Sequence, residues 1–320
     1  MKERGLDEVL VLTVRKGFWA SPESEVFPRR LYTATIRGPS HSLVNSSTLL
    51  LRALIEIWRR PPRVVLVGYA HRIVPWLARL RRLGLLRGTR LVITNWKGLA
   101  DDLVRQVDRI VEYSRPELEL RSEAVRARAV VVPLPATGDF DGLAPPDVEG
   151  EYAFAGGGGL RDFAAAIEAV RGLDARLLVV TFSRETLGYD GDLPPNCEVR
   201  YRMPLARFLE LLAGAKLVVA PLQPGSEPHG QTTVVQALRL GKALVGTRAA
   251  SLEDYVSDGV EGLLVDAGDV AGYRAAIDRL WHDDALRASC ERAARARAQE
   301  LTYDAFAARL AAICHDVMGA

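Results

Sequence analysis

The chain has 320 residues, 48% of them apolar and 26% charged, with a formal net charge of +2. So much apolar chain exceeds what one core usually organises and fits two domains of about 150 residues each. The cysteines Cys197, Cys290 and Cys314 are scattered, without the spacing of a disulfide frame or a metal knuckle, and read as reduced thiols. No leader pattern and no run of about 18 apolar residues is read in the chain, so a cytoplasmic protein, at most peripheral to a membrane, is expected.

Apolar runs of strand length alternate with helical patterns along the chain. That alternation is the signature of parallel sheets covered on both faces, an α/β fold. In the first half, strands are predicted at Glu8–Val14, Leu31–Arg37, Arg63–Val67, Arg90–Thr94, Arg109–Tyr113 and Ala129–Pro133. Helices are predicted at Asn45–Trp58, Val74–Leu83, Gly98–Gln106 and Pro116–Ala124. A proline- and glycine-bearing segment, Leu134–Gly150, reads as the linker. The second half carries strands at Tyr152–Ala155, Leu177–Thr181, Val199–Arg202, Leu217–Ala220, Ala243–Gly246 and Gly262–Val265. Its helices are predicted at Asp162–Val170, Leu205–Ala213, Val234–Leu240, Leu252–Tyr255, Ala271–Trp281, Asp284–Glu300 and Tyr303–Val317.

Charge is divided unevenly between the halves. Residues 1–150 hold 24 Lys and Arg against 17 Asp and Glu, a surplus of seven, and the remainder carries a deficit of five. Such a basic half is either an ordinary arginine-rich surface, or a partner for the acidic half, an anionic acceptor or a membrane surface. No nucleic-acid partner is expected.

Three places in the second half have the chemistry to receive an anion. The turn Gly156-Gly157-Gly158-Gly159 joins a strand to a helix and is followed by Arg161, whose guanidinium can fork onto phosphate. Ser183 and Arg184 follow a strand end, where a base, ribose or phosphate contact and a solvated arginine are equally good readings. The loop ending at Gly230-Gln231-Thr232-Thr233 opens a helix, which would point its unpaired backbone N–H groups and the positive end of its dipole into that loop. Gln236 lies one turn further in. Glu227 and His229, on either side of Pro228, can bind sugar hydroxyls or polarise a leaving phosphate, or can simply be solvated loop residues. Met203-Pro204 reads by itself as a helix entry with proline in its first turn.

The run Gln236-Ala237-Leu238, Gly241-Lys242-Ala243-Leu244-Val245, Asp258-Gly259 and Gly262-Leu263-Leu264-Val265 resembles the C-terminal half of GT-B glycosyltransferases of family 4. Asp108-Arg109-Ile110-Val111 with Ser114, and Val130–Pro133 with Asp139-Phe140, resemble their N-domain and hinge. The chain departs from the pattern where relatives carry two glutamates: Gln236 stands at the second, and Pro228, between Glu227 and His229, near the first. It departs again at Asn95, where many relatives place a histidine.

The resemblance implies two doubly wound Rossmann-like domains facing a cleft. It places an acceptor-binding domain at 1–148, a donor-binding domain at 149–301, and a C-terminal helix at 302–320 packing back on the first. It further implies a retaining, metal-independent transferase with no cofactor beyond a nucleoside diphosphate-sugar co-substrate of UDP or GDP type. The expected catalytic residues are Glu227, His229 and Arg161. Donor contacts are expected from Gly157, Gly158, Ser183, Arg184, Met203, Gly230, Gln231, Thr232, Thr233 and Gln236. A small-molecule, glycan or lipid-linked acceptor would meet Lys16, Gly17, His71, Asn95 and Trp96, with Trp19 as a further stacking ring. Two other readings stand beside this one: a catalytically lapsed sugar-nucleotide-binding subunit, and a GT-B epimerase acting on the nucleotide sugar itself.

Overall fold

In the computed structural model, residues 8–13, 31–33, 43–68, 71–86, 88–94, 100–148, 150–224 and 229–319 are described. The chain divides into two compact units, Met1–Pro133 with Tyr303–Ala320, and Leu134–Thr302. Each has its own parallel six-stranded sheet and its own apolar core.

In the first unit the strands are β1 (Val9–Thr13), β2 (Leu31–Thr33), β3 (Val64–Gly68), β4 (Arg90–Thr94), β5 (Arg109–Glu112) and β6 (Ala129–Val131), in the order β2-β1-β3-β4-β5-β6. Every residue of β3 is buried, as a parallel strand covered on both faces requires. The helices are α1 (Leu43–Arg59), α2 (Val74–Arg82), α3 (Asp101–Val104), α4 (Arg115–Glu119) and α5 (Glu123–Arg126). The helix expected at Pro116–Ala124 is thus two short ones. Ser114 caps the first, accepting from Glu117 N at 3.3 Å, and the second starts afresh after Ser122. The chain returns to this unit as α12 (Tyr303–Gly319), which packs on β3 and β4. Arg109 pairs with Asp316 at 3.1 Å, Arg63 donates to Met318 O at 2.6 Å, and the Tyr113 and Phe306 rings lie 6.4 Å apart.

The second unit contains β7 (Ala153–Gly156), α6 (Phe163–Val170), β8 (Leu177–Thr181), α7 (Arg184–Leu187), β9 (Cys197–Tyr201), α8 (Leu205–Gly214), β10 (Leu217–Ala220), α9 (Gln231–Arg239), β11 (Leu244–Thr247), β12 (Gly262–Val265), α10 (Val270–His282) and α11 (Asp284–Ala298). The strand order β12-β11-β10-β7-β8-β9 is the doubly wound order that reverses once, between β7 and β10. Residues 134–148 belong here rather than with the first unit. Leu134 N donates to Tyr255 Oη at 2.8 Å and Ala136 N to Leu301 O at 3.0 Å, so the expected linker is fastened to the second unit at its start. The helix expected at Leu252–Tyr255 is a set of turns: Leu252 N bonds Ala249 O and Tyr255 N bonds Leu252 O at three-residue spacing, and the single four-residue bond, Val256 N to Leu252 O, is not continued. The short α7 was not anticipated, because Gly188, left-handed at φ 61°, stops it after one turn.

Candidate functional site

Ligands of doubly wound sheets bind beyond the carboxyl ends of the strands where the strand order reverses. Here those ends are Gly156 of β7 and Ala220 of β10. The segments that follow them are stitched together: Arg161 forms an antiparallel bridge with Leu222, Asp162 N donates to Pro221 O at 3.1 Å, and Gln223 N donates to Leu160 O at 3.1 Å. The Gln223 side chain adds a bond from Nε2 to Arg161 O at 3.1 Å. Asp162 then caps α6 by accepting from Ala165 N. The backbone of Arg161 is therefore held from both sides.

Its side chain is 92% removed from solvent, and its contacts are neutral: Nε to Gly156 O and one terminal nitrogen to Thr233 Oγ1, both at 3.4 Å. Burial pushes Arg161 down to about 10, which leaves it protonated at neutral pH. Among the described residues no carboxylate forms an ion pair with it. A buried guanidinium held by two long neutral bonds is a cation prepared for an anion.

The glycines explain how it fits. Gly157 has φ +131°, and a Cβ there would stand 2.8 Å from an Arg161 terminal nitrogen. At Gly156 a Cβ would meet the Phe154 and Phe208 rings at 2.6 Å, and at Gly158 the Phe182 ring at 2.6 Å. Only Gly159 faces open space. Three of the four glycines thus make room for the protein's own side chains, and Gly157 does so for the guanidinium itself. Sequence alone left the choice between ligand approach and packing open.

The helix α9 supplies the other wall. It opens on Gly230, at φ +93°, with no side-chain cap, and a Cβ on Gly230 would press on Leu222 at 2.7 Å. Thr233, in the first turn, donates to Gly156 O at 3.4 Å while accepting from Arg161. Gly157, Arg161, Gly230 and Thr233 are in this way brought together, with Gln231 buried and Thr232 exposed beside them. Leu222 is held in turn by Thr247 Oγ1, which accepts from Leu222 N at 2.6 Å and lies 2.5 Å from Tyr273 Oη. Leu222, Gln223, Thr247 and Tyr273 carry no motif, and no sequence signal singles them out.

Other expected residues stand elsewhere. Gln236 is buried and donates Nε2 to Thr137 O at 2.9 Å, so its amide fastens the 134–148 segment and is not a residue of the helix surface. Ser183 caps α7 in a reciprocal box with Thr186, which occupies the hydroxyl expected to meet the donor. Arg184 is exposed at the end of β8 and Met203 half-buried at the end of β9, and neither joins the bonds between Arg161 and Thr233. His229 precedes Gly230, its carbonyl accepting from Ser251 Oγ at 2.9 Å. Glu227 lies outside the described residues, as do Lys16, Gly17, Trp19, Asn95 and Trp96. His71 opens a short 3-10 turn after β3. Among the described residues no three His, Cys, Asp or Glu side chains gather as a cation ligand set.

This fold is that of GT-B glycosyltransferases. A Rickettsia africae glycosyltransferase matches with a TM-score of 0.65 at 10% identity over 89% of this chain and 85% of the other. Sucrose-phosphate synthase from Thermosynechococcus elongatus matches with 0.66 at 15% identity over 90% and 83%. The Anabaena protein HepE, solved with UDP-glucose, matches with 0.64 at 14% identity over 91% and 86%. Residues 153–283, which lie within the second unit, match the sequence model of the family Glycosyl transferases group 1. D-inositol 3-phosphate glycosyltransferase of Acidothermus cellulolyticus is 36% identical over 102 residues, which cover 32% of this chain and 22% of that protein's length.

Proposed function

We propose that the chain moves a sugar from a nucleoside diphosphate-sugar of UDP or GDP type to a hydroxyl acceptor, with retention and without a metal. The observation that carries the reading is the buried, carboxylate-free Arg161 set between the glycine turn and the uncapped start of α9. The similarity to a protein solved with UDP-glucose supports the donor class.

As the glycosidic bond breaks, negative charge grows on the leaving diphosphate, and the task of the site is to hold it. The Arg161 guanidinium offers full charge from a low-dielectric position, where it acts more strongly than at the surface. The amides of the turn and of the first turn of α9 offer aligned dipoles. Thr233 fixes the guanidinium by accepting from it, and the bridge to Leu222 fixes its backbone, so little reorganisation is left for the moment of transfer. His229 and Glu227 are assigned to the sugar and leaving group, and Arg184 and Met203 to the nucleoside. Lys16, Gly17, His71, Asn95 and Trp96 are assigned to the acceptor.

The test is release of nucleoside diphosphate from a panel of nucleotide sugars, with Arg161→Ala expected to lower turnover at least about 100-fold, as loss of a preorganised charge-stabilising donor does. Unchanged turnover in that variant would refute the assignment. The bond from Gln236 to Thr137 favours one second reading: where relatives hold a carboxylate, this chain holds an amide with a structural task, as a lapsed, nucleotide-binding subunit would. Retained nucleotide binding with no turnover on any donor and acceptor would decide for it.

A further inference from the structure

The strand ends beside Arg161 carry exposed apolar side chains. Every residue of β8 from Leu177 to Thr181 is buried, and the next one, Phe182, is 60% exposed. Leu160, which follows the glycine turn of β7, and Tyr201, which ends β9 opposite Thr181 in the register, are each 42% exposed. Single exposed apolar residues are ordinary on a protein surface. These three are not scattered: they stand at the carboxyl ends of three neighbouring strands, on the edge where doubly wound sheets bind ligands.

The glycine turn ties Phe182 to the anion site. Its ring lies against Gly158, where a Cβ would come within 2.6 Å of it, just as the Arg161 guanidinium lies against Gly157. Adjacent Cα atoms are about 3.8 Å apart across a trans peptide, so ring and guanidinium are held within about 12 Å of one another. A ribose and a diphosphate separate a base from the terminal phosphate by a distance of that order. The backbone on either side is strained. Among the described residues, the non-glycine residues at positive φ are Leu160, at 62°, and Arg202, at 54°, directly after Tyr201. Left-handed backbone in residues that disfavour it collects at ligand clamps. Arg202 N donates to Thr181 O at 2.9 Å, which carries the pairing of β8 and β9 up to Phe182. The ring thus stands on fixed backbone, and contact with Gly158 does not account for leaving more than half of it in water.

We propose that the exposed face of Phe182 is the platform on which the donor's nucleobase stacks, with the diphosphate running from there over the glycine turn to Arg161. This platform presupposes the donor reading above and adds a ring to Arg184 and Met203 as a holder of the nucleoside. Every base has a π-face, whatever its edge carries, so a phenyl ring fixed beside a phosphate site holds uracil and guanine alike. Removing the ring therefore weakens the hold on the base and leaves the hold on the phosphates in place.

The experiment is isothermal titration of the full chain with UDP, GDP and inorganic pyrophosphate. Phe182→Leu keeps an apolar cover on Gly158 and removes the π-face. It should weaken UDP and GDP about tenfold each and leave pyrophosphate within about twofold, whereas Arg161→Met should weaken all three. Phe182→Trp should restore both nucleotides. In turnover, the leucine variant should raise the donor KM about tenfold with kcat nearly unchanged, as loss of binding that is equal in ground and transition states does. A purely structural ring would instead lower the melting temperature and weaken pyrophosphate together with the nucleotides when replaced, and that result would overturn the proposal. So would nucleotide affinity unaltered by Phe182→Leu. A chain that takes up none of the three ligands would bring down the donor reading, and this platform with it.

Discussion

Arg161 shows how one residue can oppose stability and function. Its folded pKa of about 10 lies below the ordinary 12.5, so the cost of burying the charge is fully present below pH 10 and is relieved only between those values. That cost is on the order of 3 kcal/mol. Arg161→Met, which keeps the volume and removes the charge, is expected to leave the melting temperature unchanged or raise it while abolishing the shift caused by a nucleoside diphosphate. A calorimetric scan with and without UDP reads both effects. Gly157→Ala is expected to lower nucleotide affinity without touching a ligand contact, because its Cβ would displace the guanidinium. Gln236→Glu restores the carboxylate that relatives carry, yet it would bury a charge against the Thr137 carbonyl. A loss of about 3 kcal/mol in denaturant unfolding is expected, and any gain in stability would contradict the assigned bond.

Between elements, Asp108 at the entrance to β5 binds α2 and β4 into one block. It meets Arg81, accepts from Leu91 N at 2.7 Å and lies 3.2 Å from Arg90. Burial alone would raise its pKa, but the bonds from Arg81, Leu91 and Arg90 outweigh it and hold the carboxyl below its ordinary value. A depressed carboxylate stabilises the fold above the unfolded pKa near 3.8 and ceases to do so as pH falls through the lower folded value. Asp108→Asn should therefore lower the melting temperature at pH 7 and flatten its decline below about pH 4, compared by thermal scans across that range. In the second unit the Tyr273–Thr247–Leu222 bonds perform the corresponding task, joining α10 and β11 to the segment that braces Arg161.

At the scale of the whole molecule, the division into two compact units, each with an apolar core among its described residues, leads us to expect two cooperative transitions. Differential scanning calorimetry should resolve them. UDP at about 100 times its dissociation constant should raise only the transition of the second unit, by about 5–10 °C for roughly 2.7 kcal/mol of linkage. A shift of the first unit alone would move the donor site away from Arg161.

Much of this was written in local pattern. The strands Arg90–Thr94, Leu177–Thr181, Leu217–Ala220 and Gly262–Val265 keep the limits that their largely apolar runs predict, because strands of a helix-covered parallel sheet are mostly buried. The glycine turn and the start of α9 were legible for the same reason: each is a short-range consequence of missing side chains and helix ends. What local pattern cannot carry is which distant segments meet. Arg161 and Thr233 are 72 residues apart and touch only because β7 and β10 are neighbours where the strand order reverses. Gln236 reads as a ribose contact by motif and becomes a tie to Thr137 because the 134–148 segment runs past α9. The chain determined its elements by itself, since propensity and periodicity act within a few residues. Sheet order and burial, which exist only in the folded chain, decided which of those elements form a site.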